Sequence, residues 1–260
     1  MKKIQTKIGT HQIQMSIDSK SFIDFIQRSY QLIEVDQLNP DMYLTIKQGY
    51  GVPFVDYHVD ITKEAGKIFY HRADYLIEAD TDYRNATIFA HDDFALKHAM
   101  TNLYSAFIVY HNWGLLIHSS CVIEEERAHI FAGQSGAGKS TAARLSEPRP
   151  LLSDEATLIQ ITSKAIIVHD SPFRSELMSS EKKACVPLAS IQLLHHSPQN
   201  NRMKIRKPDA LIQLMDKVFY WGYSPEETKT ILHLLRTLVD EVPTYELYFK
   251  KDDTFWELIS

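Results

Sequence analysis

The sequence predicts an α/β protein (an α+β mixed sheet with flanking helices) in two parts, a small β-rich domain at residues 1–92 and a P-loop domain at residues 93–260. Three observations lead to this fold class. Short β-branched and aromatic runs crowd residues 1–90. An apolar stripe of helical period follows at 93–112. A glycine-rich octapeptide then stands between an apolar run and a helix-forming one. At 260 residues, with 44% hydrophobic and 11% aromatic content, the chain can bury one large core or two modest ones.

In the first part, strands are expected at 13–17, 43–46, 57–61, 67–70, 75–79 and 86–90, separated by polar turn clusters. Phe22, Phe25, Ile26 and Tyr30 recur at helical spacing, so a helix over 21–30 interrupts them. Leu96, Met100, Leu103, Phe107 and Tyr110 form the stripe of the next helix, which stops near Gly114 and marks the seam between the parts. Strands follow at 115–123, 128–132, 151–155, 157–161, 165–169 and 190–195. Residues 209–219 carry Leu211, Leu214, Met215 and Val218 at 3–4 spacing. Ser224-Pro225-Glu226-Glu227 reads as a capping box with proline at the first helical position, opening a helix that runs to about 240.

The octapeptide Gly133-Gln134-Ser135-Gly136-Ala137-Gly138-Lys139-Ser140 completes the phosphate-loop pattern G-x-x-x-x-G-K-[ST]. Three of the nine glycines fall here, which suits a loop that must curl until successive N–H groups point at one phosphate. The run 128–132 enters it as a strand, and 140–145 leaves it as a helix whose positive end faces the anion. A turn that merely joins two elements has no need of a Lys-Ser pair at that spacing. Lys139 is expected to reach the outer phosphates of ATP and the Ser140 hydroxyl to hold Mg²⁺.

Composition narrows the remaining classes. A formal charge of -5 gives no whole-protein attraction to nucleic acid or to an anionic membrane. Residues 1–6 are charged but lack the apolar core of a signal peptide, and no run is long enough to span a membrane, so the expected location is the cytoplasm. Cys121 and Cys185 read as reduced thiols there, and none of the twelve histidines has the spacing of a zinc site.

Two further segments bear on chemistry. Leu151-Leu152-Ser153-Asp154-Glu155 reads as a strand ending in two carboxylates. A phosphoryl transferase needs one group to orient or deprotonate the acceptor and another to help hold Mg²⁺, and this pair serves both needs. A pair of solvated loop acids explains the same dipeptide. Arg202, Lys204 and Arg206 alternate with apolar residues, so a strand over 202–207 sets them on one face, either to receive an acidic peptide or simply to meet water.

Leu116-Ile117-His118-Ser119-Ser120, the loop at 131–141, Leu152-Ser153-Asp154-Glu155 and Ser171-Pro172-Phe173, in this order and spacing, resemble the kinase domain of HPr serine kinase/phosphorylase. They resemble still more the HPr-kinase-like proteins of peptide-biosynthesis clusters, including kinases that tailor lasso-peptide precursors. The resemblance covers 112–260, with Leu247-Tyr248-Phe249 and Phe255-Trp256 similar to the family's closing strand and helix. It implies a phosphoenolpyruvate-carboxykinase type of P-loop domain. It further implies Gly133, Ser135, Gly136, Ala137, Gly138, Lys139, Ser140 and Thr141 as the ATP loop, Asp154 as base toward a serine hydroxyl, and Ser140 with Glu155 on Mg²⁺. His118 matches a histidine beside the transferring phosphate, or is a satisfied strand histidine; Arg174 supplies positive charge to the transition state, or is a surface arginine.

Asp-Glu stands where that family has Asp-Asp, and its glycine-rich signature after the loop is missing. Phosphorolysis, a hexamer and HPr as acceptor are therefore not expected, while smaller oligomers stay open. The expected function is transfer of the ATP γ-phosphate to a serine of a peptide or small protein, such as a ribosomal precursor peptide. A small-molecule hydroxyl kinase and a nonenzymatic nucleotide-binding regulator are the alternatives.

Overall fold

In the computed structural model, which describes residues 1–34, 39–175, 177 and 185–259, the chain is mixed α+β and mostly sheet. It forms two units, residues 1–111 with 220–225 and residues 112–219 with 226–260.

The first unit is built on β1 (Lys2–Ile8), β2 (His11–Ile17), α1 (Lys20–Ser29), β3 (Leu32–Ile33), β4 (Met42–Gln48), β5 (Asp60–Glu64), β6 (Lys67–Arg72), β7 (Tyr75–Asp80), β8 (Asn85–Ala90) and α2 (Asp93–Tyr110). The strands make one eight-stranded sheet in the order β3-β1-β2-β4-β8-β7-β6-β5. Alternation sets the buried face: Ile13, Met15 and Ile17 from β2 and Tyr75, Ile77 and Ala79 from β7 point inward. α1 adds Phe22 and Ile26. Asp92 caps α2 by accepting from the Ala95 N–H, 2.9 Å away.

α2 packs on β7 and β8 and is buried on nearly every side between Ala95 and Val109, including Thr101, Asn102 and Ser105. A single apolar stripe understates it. The sequence boundary at 92/93 put this helix with the second part, whereas its contacts group it with the first sheet. β1 was not expected either. Its buried residues include Gln5, which pairs with Gln12 on the face opposite Ile4 and Ile8, and Thr6, whose hydroxyl donates to the Gln31 carbonyl, so part of its burial is achieved with polar groups that carry no strand signal.

The second unit contains β9 (Gly114–Glu124), β10 (Arg127–Ala132), α3 (Lys139–Leu145), β11 (Leu151–Ser153), β12 (Ala156–Ile161), β13 (Ile166–His169), β14 (Cys185–His196), β15 (Asn201–Lys204), α4 (Lys207–Met215), α5 (Pro225–Glu241), β16 (Thr244–Phe249) and a 3₁₀ helix (Asp253–Leu258). Two long strands organise it. β9 pairs with β12 along its first half and with β10 along its second, while β14 pairs with β13 at its start and with β10 and β16, both in parallel, further on. β9, β12, β13, β14 and β10 thereby close a ring of pairings, and β16 and β15 extend it. Phe131, Leu194, Leu247, Phe249, Phe255 and Trp256 form the core under Ala142 and Ala143 of α3.

The expected basic face at 202–206 is not assembled. The strand stops at Lys204, Arg206 lies beyond it and pairs with Asp209, and Arg202 lies 3.6 Å from the centre of the Tyr245 ring. Arg202 also donates to Gln192 and to the Leu258 carbonyl, so that cation is used inside the fold. Both cysteines are free thiols, Cys121 buried and Cys185 exposed. No helix among the described residues is long and apolar enough to cross a membrane.

Candidate functional site

β10, β14 and β16 run in parallel and end on one edge of the sheet, and there β10 delivers the chain into the glycine-rich loop. Ligands of such sheets sit outside the carboxyl ends of the strands. Gly136 and Gly138 adopt φ of +80° and +98°. A Cβ on Gly138 would also fall 2.8 Å from Phe249 Cζ and 3.1 Å from His196 Cε1, so both backbone conformation and space require glycine. The His196 ring donates through Nε2 to the Gly136 carbonyl at 2.9 Å, and the Ser120 hydroxyl donates to the Lys139 carbonyl at 2.9 Å, tying the loop to β14 and β9.

Lys139 is 8% exposed. Its ammonium donates to the Gly133 and Gln134 carbonyls at 3.0 and 3.1 Å and pairs with no carboxylate among the described residues. Burial, and then the neighbouring Lys217 charge, pull its pKa below the usual lysine value.

A cleft of about 350 Å³ brings Lys139 together with Ser135, Gly136, Gly138, Ser140, Thr141, His118, Asp154 and Glu155. The β9–β12 ladder sets this spacing: His118 stands opposite Ala156, and the Ser119 N–H donates to the Glu155 carbonyl at 3.1 Å. Asp154, at the β11–β12 junction, is only 3% exposed. Its Oδ1 accepts from the Ser175 N–H at 2.9 Å and its Oδ2 from the Leu177 N–H at 2.8 Å, which fixes the carboxylate's orientation. The His118 ring lies 5.4 Å from Phe219. Burial first, then the Lys139 and Lys217 charges, lower its pKa to about 4, so it is neutral at pH 7.

Arg174 is not among the residues lining that cleft. It pairs with Asp170 and donates to the Leu152 carbonyl at 3.0 Å, fastening the 170–174 segment to β11. Gly133 and Ala137 line a second cleft of about 650 Å³ that shares Ser135 and Gly136 with the first.

Lys217 escaped the sequence reading, which ran one helix from 209 to 219. α4 instead ends at Met215, a turn follows at 216–217, and Val218 bridges Ile117: the Lys217 carbonyl accepts from the His118 N–H at 2.7 Å and the Phe219 N–H donates to Leu116 at 2.9 Å. This rung buries Lys217 beside the loop, its ammonium 2.6 Å from Asp216. A lone lysine after an apolar helix carries no signal of such a place.

For a metal, the described residues offer no group of three or more His, Cys, Asp or Glu side chains. Ser140 and Glu155 do share the first cleft. One hydroxyl and one carboxylate suit Mg²⁺, which keeps waters and takes substrate phosphate oxygens for the rest of its shell.

Fold and site together describe a mixed α+β protein, mostly sheet, whose glycine-rich loop faces a histidine and two acids. Over residues 89–260 the chain matches the sequence model of the family described as SynChlorMet cassette protein ScmC, and it belongs to that family. No curated protein matches it. The family match corrects the resemblance drawn from the sequence, because the model that fits is not that of an HPr-kinase domain. The resemblance rested on the segments 116–120, 131–141, 152–155 and 171–173 and on the closing 247–249 and 255–256, short pieces that do not by themselves define a family.

Proposed function

We propose that this chain is an ATP-dependent phosphotransferase with a P-loop kinase domain, moving the γ-phosphate to a serine hydroxyl of a peptide or small protein. The observation that carries it is the meeting of a buried Lys139, held among the described residues by carbonyls of its own loop, with Ser140, Asp154, Glu155 and neutral His118 in one cleft. A buried cation without a carboxylate is a site for an anion.

Loop N–H groups and Lys139 take the β- and γ-phosphates. Ser140 and Glu155 hold Mg²⁺, which when bound neutralises phosphate charge. Asp154 accepts the proton of the acceptor hydroxyl as its oxygen bonds to the γ-phosphorus; the bond from that phosphorus to the bridging oxygen breaks, and ADP leaves with that electron pair. His118, uncharged, hydrogen-bonds the phosphoryl oxygens without competing with Lys139 for charge. Arg174 acts as a positioning residue, through β11. The family's description as a cassette protein is in keeping with a substrate made alongside it.

The test is transfer of labelled γ-phosphate into peptides and proteins of the source cells, followed by mass spectrometry of the labelled residue. Asp154→Asn is expected to lose at least about a hundredfold in transfer while binding ATP as before. Full transfer by that variant, or none by the wild type, would overturn the assignment.

A further inference from the structure

We infer that the larger cleft beside the loop is the nucleoside site of the triphosphate, with Lys217 on the phosphates that lead into it; this rests on the phosphate-loop reading above. The acids that would serve the acceptor lie in the smaller cleft, so the γ-phosphate belongs there. Ser135 and Gly136 line both clefts, so a phosphate chain laid along the loop passes from one to the other and carries its nucleoside into the larger.

The larger cleft has the chemistry for it. His195 of β14 and Tyr248 of β16 are register partners that both line this cleft, and their rings stack at 4.7 Å with planes 19° apart, an aromatic stack that a further planar ring can join. His195 Nε2 has no hydrogen-bond partner among the described residues. Across from these strands, α4 contributes Ile212, 67% exposed, and the Gln213 amide. Apolar and aromatic faces suit a planar heterocycle, and an amide can read its edge. Lys217 supplies the cation. Its only ion-pair partner among the described residues is Asp216, whose side chain is 64% exposed and can turn into water when phosphate takes its place.

The test compares the affinity of the full chain for Mg-ATP and for inorganic tripolyphosphate, in the wild type and in Tyr248→Ala, Ile212→Asp and Lys139→Ala. Tyr248→Ala and Ile212→Asp are expected to weaken ATP about tenfold and tripolyphosphate less than about twofold. Ile212 is exposed, so its variant keeps the fold where Tyr248→Ala disturbs it. Undiminished ATP affinity in Ile212→Asp, or equal loss of both ligands, overturns the inference. Undiminished ATP binding with lost transfer to peptide overturns it too, and gives the cleft to the acceptor. Lys139→Ala is expected to weaken both ligands; if it weakens neither, the phosphate-loop reading itself fails.

Discussion

Arg72 in the first unit and Lys139 in the second are both buried cations, held in opposite ways. The Arg72 guanidinium grips both oxygens of Asp74 at 2.6 and 2.9 Å, meets His98 at 3.0 Å, and lies over the Phe54 and Tyr75 rings. The two charged side chains are 3% and 1% exposed, so each charge is answered inside the fold. Among the described residues Lys139 has two neutral carbonyls of its own loop as partners, and a second lysine nearby. A cation whose partner is built in serves the fold. One that makes do with weak, local acceptors is, on the proposed reading, kept for an anion from outside.

Removing either kind of partner tests this contrast. Asp74→Ala should strip Arg72 of its carboxylate and cost about 3–5 kcal/mol of stability in chemical denaturation, with ATP affinity of the folded protein unchanged. Lys139→Met should cost about a hundredfold in ATP affinity while the thermal midpoint holds or rises, because a desolvated charge disappears. A midpoint drop as large as that of Asp74→Ala would erase the distinction.

A smaller effect compares the units through protons. His98 in the first and His118 and His129 in the second are each lowered from 6.5 to about 4, with burial the leading cause in all three. The unfolded chain therefore binds protons at these sites near pH 6.5 and the folded chain only near 4. Their contribution to stability is complete above pH 6.5 and lost as the pH falls toward 4. His118→Gln and His129→Gln should each flatten the acid side of the stability curve by up to one proton. An unchanged slope would mean that these rings titrate normally in the fold.

How legible all this was depends on what each element answers to. β2, β4, β6, β7 and β8 declared themselves because alternation in sequence is alternation of faces, and β10 and α3 because the loop motif brackets them. β1 was hidden by its buried Gln5 and Thr6. β14 runs five residues earlier than expected, at Cys185, because a strand shared by two sheet regions changes partners along its length. The cleft's loop, Asp154 and Glu155 were named from a motif and a strand end, whereas His118 was named only through the resemblance that the family match corrects, although it lines the same cleft. Lys217 was not, because its place follows from where α4 stops and from a rung made with β9, and both are tertiary facts. Arg174 was named for its charge, yet that charge is turned toward Asp170 and β11.

Consecutive residues of β9 perform different tasks along one ladder: His118 enters the cleft opposite Ala156, the Ser119 backbone meets Glu155, and the Ser120 hydroxyl holds the first residue of α3. The strand works as a ruler, and a ruler does not tolerate edits to its markings. Deleting one residue between 116 and 120 would shift every later rung to the opposite face and part the histidine from the acids without removing either. Length variation among natural or engineered versions of this chain should collect instead at turns such as 162–165, where a change moves no rung of the site.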